Sequence, residues 1–214
     1  MSEDVIARFD AAWTALARDL ALEADLATAC AQSVRTHYAE PHRHYHTLRH
    51  IVSLLEGARD LRDHFENWDA VRLAIVFHDV IYDVAKFDNE HQSALLLAEM
   101  LGEYIDGEVL IQAQRTIEAT QRHVATPWSD TNLVIDLDMA IMGQPWPVYA
   151  RYLEAVRAEY VPIYGEEMYR QGRMALFLEP TLQKPSIFLT APFTALDDQA
   201  HANILRELSL LNTV

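Results

Sequence analysis

The sequence predicts an all-α protein. Three observations carry this. Apolar residues recur at helical spacing along most of the chain, glycine is scarce at six residues in 214, and no stretch shows the regular strand–turn alternation of a sandwich or barrel. Val5, Ile6, Phe9, Ala12, Trp13, Leu16 and Leu20 mark a first helix after a cap at Ser2. Leu48, Ile51, Val52, Leu55, Ala58 and Leu61 form a second stripe. Residues 70–77 are apolar nearly all round, as in a central helix with neighbours on every side. Asn89 reads as the cap of the next helix, with Gln92 at the third position and Gly102 at its end. A further helix covers 108–123, Ser129 opens one running to 143, and two more fit 148–160 and 166–178. Residues 179–193 hold Pro180, Pro185 and Pro192 and read as an extended connection. Thr194 and Asp197 resemble a capping box with Asp in the Glu place, opening a last helix to about 211. No repeat, low-complexity tract or Gly/Ser linker divides the chain, so a single helical bundle over 1–214 with about eight or nine helices is expected.

Composition narrows the function. Lys and Arg number 17 against 32 Asp and Glu, a net charge of −15. Binding to a nucleic-acid backbone rests on Lys and Arg replacing phosphate counterions, and binding to anionic membranes rests on the same charges, so neither partner is expected. The one cysteine, Cys30, excludes an internal disulfide and cysteine-based zinc sites, and its apolar helical surroundings read as a buried thiol. The first residues lack the basic and apolar segments of a signal peptide, and no apolar run reaches the ~18 residues of a membrane helix. A soluble, cytoplasmic protein is expected.

The histidines are the chemical signal. Five of the ten fall within residues 37–50. His46 and His50 are four apart, so a helix starting near Tyr45 would put both on one face, where they can share a metal ion. Solvated histidines at a polar helix start fit the spacing as well. His78 follows Val71, Ala74 and Ile75 on one helix face and points into the core, with Asp79 next to it. A buried carboxylate needs a cation or strong donors, so Asp79 is either a ligand or part of a pair that caps helix ends. Asp138 belongs to two overlapping apolar stripes in 133–142, and Asp136 is similarly placed. A metal or an arginine would satisfy Asp138. Arg173 is a candidate partner for Asp136 or Glu90, or a solvent-facing charge. Mixed imidazole and carboxylate ligation suits Mn²⁺, Fe²⁺, Co²⁺, Ni²⁺ or Zn²⁺, and carboxylate-rich sites also take Mg²⁺.

The ordered set His46, His78-Asp79 and Asp138 resembles the HD superfamily of metal-dependent phosphohydrolases, whose pattern is His…His-Asp…Asp. More closely, the chain resembles a bacterial group of predicted HD phosphohydrolases. The matching segments are Arg-His-Tyr-His-Thr-Leu-Arg-His-Ile (43–51), Phe-His-Asp-Val-Ile-Tyr-Asp (77–83) and Asp-Asn-Glu-His-Gln-Ser-Ala (88–94). Asp-Leu-Asp-Met-Ala-Ile-Met-Gly (136–143) and Arg-Ala-Glu-Tyr (157–160) continue the match. The resemblance implies an HD-type helical bundle in which His46, His78, Asp79 and Asp138 hold a divalent metal ion. It implies hydrolysis of a small phosphate ester or phosphoanhydride, a nucleotide among the candidates. In that reading Asp79, Glu90 and His123 serve catalysis, while His50 and Asp136 stand behind the ligands and orient them. Arg43 and Lys86 lie near the motifs in sequence and are candidates for binding substrate phosphate. Tyr82 packs over the site, Asp83 orders its loop, and Trp128 and Trp146 are packing residues. The alternatives are a non-catalytic module of the same fold that binds metal or nucleotide, and a structural protein whose His and Asp residues bond internally. A homodimer through an exposed apolar helix face is compatible with all three.

Overall fold

A computed structural model describes residues 2–213. Among these residues there are ten α-helices and no strands, which bears out the all-α expectation. They are α1 (Glu3–Asp19), α2 (Ala24–His37), α3 (Leu48–Asp60), α4 (Trp68–Phe77), α5 (Asn89–Leu101), α6 (Gly107–Thr120), α7 (Ser129–Met139), α8 (Trp146–Gly172), the single turn α9 (Glu179–Leu182), and α10 (Asp197–Leu211). The chain divides into two compact units, one ending at Leu137 and one beginning at Asp138. No linker marks the division because it falls inside α7.

In the first unit α4 is the central element. Every residue from Ala70 to Phe77 is buried, including Arg72. Helix α4 packs on α3, α5 and α6, and α1 packs on α3. Asn67 caps α4 through its side chain, which accepts from the Ala70 amide. The face of α1 carrying Val5, Phe9, Trp13 and Leu16 is buried, as its periodicity requires. Ser2 precedes α1 but makes no side-chain cap bond. Helix α2, which carries the apolar pattern around Cys30, is a separate element. It leaves α1 at Ala21, which takes the left-handed conformation at φ 54° without the glycine that usually marks such a break. Cys30 is buried on α2, as expected. Asn89 does not cap α5. Its side chain instead bonds both backbone groups of Asp83, while the Asp83 carboxylate accepts from the Ala85 amide, so the loop before α5 is tied on itself.

In the second unit the long helix α8 is broken at Gly165, where φ is 76°, and this separates the two helices expected there. The expectation of an extended connection over 179–193 holds for residues 183–190, which are not helical, and is corrected at both ends. A π-helical turn (Arg173–Leu178) leads into α9, and Ala191–Leu196 form a 3-10 helix. Pro180 and Pro192 lie in the first turns of these helical pieces, where a missing N–H is no loss. The Thr194 capping box is also corrected. Thr194 Oγ1 donates to the Ala191 carbonyl, and the Asp197 carboxylate accepts from the amides of Ile187 and Phe188 instead. Among the described residues no helix is long and apolar enough to cross a membrane.

Candidate metal centre

Helix α3 begins at Leu48, with extended Thr47 as its N-cap, so the helix start expected near Tyr45 is corrected. His46 therefore precedes the helix, and His50 lies in its first turn. The reason is local: the His46 carbonyl accepts from the Arg43 guanidinium at 3.2 Å, which holds the preceding residues in a turn. His50 is 6% exposed. It shares one face of α3 with Leu54 and Gly57, at i, i+4 and i+7. A Cβ added to Gly57 would meet Leu137 Cδ2 at 2.9 Å, so this face runs hard against α7. His78 is the C-cap of α4 and is 1% exposed.

His50, His78 and Asp138 each offer a ligand atom, and these atoms all lie within 4.8 Å of one another. Asp138 follows Leu137 directly on α7. The His50 and His78 rings are 5.4 Å apart between centroids. Asp79 Oδ2 lies 3.0 Å from His78 Nε2 and 3.9 Å from His50 Nε2. His46 flanks the group, its ring 6.0 Å from that of His50 and 4.4 Å from that of Tyr82. The resemblance makes His46 a ligand and places His50 behind it. In the structure it is the His50 ligand atom that falls in the group, with His46 alongside.

The donor chemistry fits a cation. His78 Nδ1 is 3.0 Å from the Ile75 carbonyl, which can only accept, so Nδ1 carries the hydrogen. In the neutral ring Nε2 is then a lone pair facing the Asp79 carboxylate. Two electron-rich atoms at that distance need positive charge between them, either a second proton on the ring or a metal ion. A ring nitrogen bonded to a carbonyl, with the opposite nitrogen turned to the metal, is the usual orientation of a metal-binding histidine. Two imidazoles and a carboxylate, largely buried, make a mixed N/O set suited to a divalent transition metal.

Glu90 and His123 lie within electrostatic reach of this group. Burial pushes the Glu90 carboxyl above its ordinary value; Asp79 adds to the rise, while His123 and His78 oppose it. His123 follows α6 and takes the left-handed conformation at φ 48°, a strained backbone for a residue other than glycine. Asp136 is fully buried on α7.

The Arg43 side chain is 0% exposed and its donors go to Glu40 and to backbone carbonyls, so it is not placed to take a substrate phosphate. Lys86 is exposed on the loop before α5. Arg173 opens the π-helical turn that follows α8. It bonds the buried Glu207, a partner on α10 that no local pattern reveals. Tyr82 does lie over the site, packed on His46 and stacked on His42. Trp128 is 42% exposed, with Arg115 over its ring at 4.0 Å, so it is not a core packing residue. Trp146 is half-buried, between Tyr149 and Arg206. Trp128 and Trp68 line a groove of about 800 Å³ in the first unit that none of the candidate site residues reaches. Several of its charged groups are engaged within the protein: Arg72 pairs with Asp19 and Asp69, and Asp130 accepts from the amides of Glu66 and Asn67.

The sequence signal for His50 was available in Gly57, one face-repeat further on, but reading it needs the identity of the helix packed there. Comparison with family models, with curated proteins and with solved structures finds no match for this chain.

Proposed function

We propose that the chain is a cytoplasmic, metal-dependent phosphohydrolase that cleaves a small phosphate ester or phosphoanhydride, with nucleotides as the first candidates. The observation that carries this reading is the largely buried His50, His78 and Asp138 group, with the Asp79 carboxylate against His78. It is joined by the likeness of segments 43–51, 77–83 and 136–143 to HD phosphohydrolases. His50, His78 and Asp138 would hold a divalent ion, with Asp79 and His46 beside them. A divalent ion supplies Lewis acidity, which lowers the pKa of water and polarises a phosphoryl oxygen. Glu90, whose carboxyl holds its proton to higher pH than usual because it is buried, is the group to accept and return a proton. His123, on a strained backbone, is the second. Tyr82 keeps His46 in place by ring contact. The overall charge of −15 does not oppose a small anionic substrate, because a bound cation reverses the sign locally.

The test is metal content after loading with Mn²⁺, Co²⁺, Ni²⁺, Zn²⁺ or Mg²⁺, followed by phosphate release from a panel of nucleotides and generic phosphoesters. Asp79→Ala is expected to lose both metal and turnover. Wild-type protein that takes up no metal refutes the ligand set. Metal uptake with no turnover over a broad panel selects the non-catalytic binding module.

A further inference from the structure

Arg43 is a buried cation with an unusual set of partners. Nη1 donates to the Asp79 carbonyl at 2.7 Å and to the His46 carbonyl at 3.2 Å, and Nη2 donates to the Val80 carbonyl at 2.9 Å. Nε donates to Glu40 Oε2 at 2.9 Å. The guanidinium also faces the rings of Tyr38 and Tyr82, at 5.1 and 5.2 Å from their centroids. One nitrogen thus bonds the backbone of the two residues, His46 and Asp79, that arrive from opposite sides of the candidate site. One precedes α3 and the other follows α4.

We infer that Arg43 is a positioning residue that clamps the His46 turn to the His78-Asp79 turn and so sets the spacing of the donor groups. This rests on the metal-centre reading above. The geometry gives the reason for arginine here. A carbonyl that has left a helix end needs a donor, and a planar fork supplies several in fixed directions on one rigid group. Lysine offers a single compact charge and cannot span Glu40, His46, Asp79 and Val80 together. Glu40 and the two tyrosine faces offset the charge, so burial of the guanidinium is tolerated. The tethered groups are peptide carbonyls, so the clamp acts on the backbone directions from which His46 and Asp79 project.

The test compares Arg43→Lys with wild type and with Ile117→Val, a mildly destabilised control in α6 away from the clamp. Arg43→Lys is expected to bind Co²⁺ roughly 10–100-fold more weakly, as losses behind a metal site commonly do. At saturating Co²⁺ its d–d absorption shifts, which a loss of stability alone would not cause. By hydrogen exchange, amides in 44–51 and in 77–83 speed up together by about tenfold or more, while the rest of the protein matches the control. Glu40→Gln keeps the arginine and loosens one tether, giving a smaller effect in the same two segments if Arg43→Lys does not fold. Wild-type affinity, spectrum and exchange in a folded Arg43→Lys protein overturn the inference, as does acceleration of one segment without the other. If wild-type protein takes up no Co²⁺, the metal reading falls, and the paired exchange result still decides the clamp.

Discussion

Removal of the Glu207 carboxylate tests the second unit most sharply. Glu207 is buried on α10 and accepts from Arg173 Nε at 2.9 Å and from the Tyr149 hydroxyl. The Arg173 side chain is itself buried, with the rings of Tyr152 and Phe177 against its guanidinium. Burial works against its charge, but Tyr152 and Glu207 hold the guanidinium protonated beyond its ordinary range. Glu207→Ala therefore leaves a buried cation without its carboxylate, which costs about 3–5 kcal/mol. The stranded Tyr149 hydroxyl is part of that loss, since an unsatisfied buried donor alone costs about 1–3 kcal/mol. For a chain of this length the expected fall in Tm is roughly 6–20 °C. The double change Arg173→Met with Glu207→Leu removes both charges and should recover most of the loss, because a buried ion pair replaced by apolar groups is often close to neutral. Urea unfolding of the wild type, Arg173→Met, Glu207→Leu and the double variant gives the coupling energy directly, provided the m value is unchanged. A loss below about 1 kcal/mol for Glu207→Ala would mean the pair is hydrated or relaxes freely, and would refute the argument.

Two further outcomes are expected. Burial pushes the Tyr169 hydroxyl up to about 12 from an ordinary value of 10.0, and it raises Tyr149 and Tyr152 as well. The folded state then holds this proton where the unfolded chain releases it. The stabilisation is complete below pH 10 and is lost as pH rises through 12, about 3 kcal/mol for Tyr169. Absorbance of tyrosinate should show these hydroxyls titrating late, and titration of all nine tyrosines near pH 10 in folded protein would count against it. His123→Gly should relieve the left-handed backbone and stabilise the fold by about 1 kcal/mol, while phosphate release falls about a hundredfold or more. Stabilisation with unchanged turnover would remove His123 from the proton-transfer role.

The helices that sequence reading places well are those whose signal is local. The stripe through Val5, Phe9, Trp13 and Leu16, the continuous apolar run ending at Phe77, and the break at Gly165 follow from side-chain spacing and glycine geometry. The missed breaks and turns lack such a signal. Ala21 separates α1 from α2 with no glycine or proline, and Pro180 and Pro192 serve as helix openers where they read as helix breakers.

The candidate site divides in the same way. His78 and Asp79 were legible because a polar pair ends an apolar helix, and Asp138 because it interrupts one. Spacing made His50 a metal candidate, but not alongside these residues, because its partners lie 28 and 88 positions away and depend on α3 meeting α7 at Gly57. Arg43 shows the limit most clearly. Its sequence neighbours suggest a free cation for phosphate, whereas its donors are taken by carbonyls 36 and 37 residues further on. Likewise Arg173 finds its carboxylate 34 residues away on α10. Helical periodicity acts over a few residues and can be read along the chain. Hydrogen-bond partners and ligand spacing depend on which helix faces meet, and only the packed structure sets those distances.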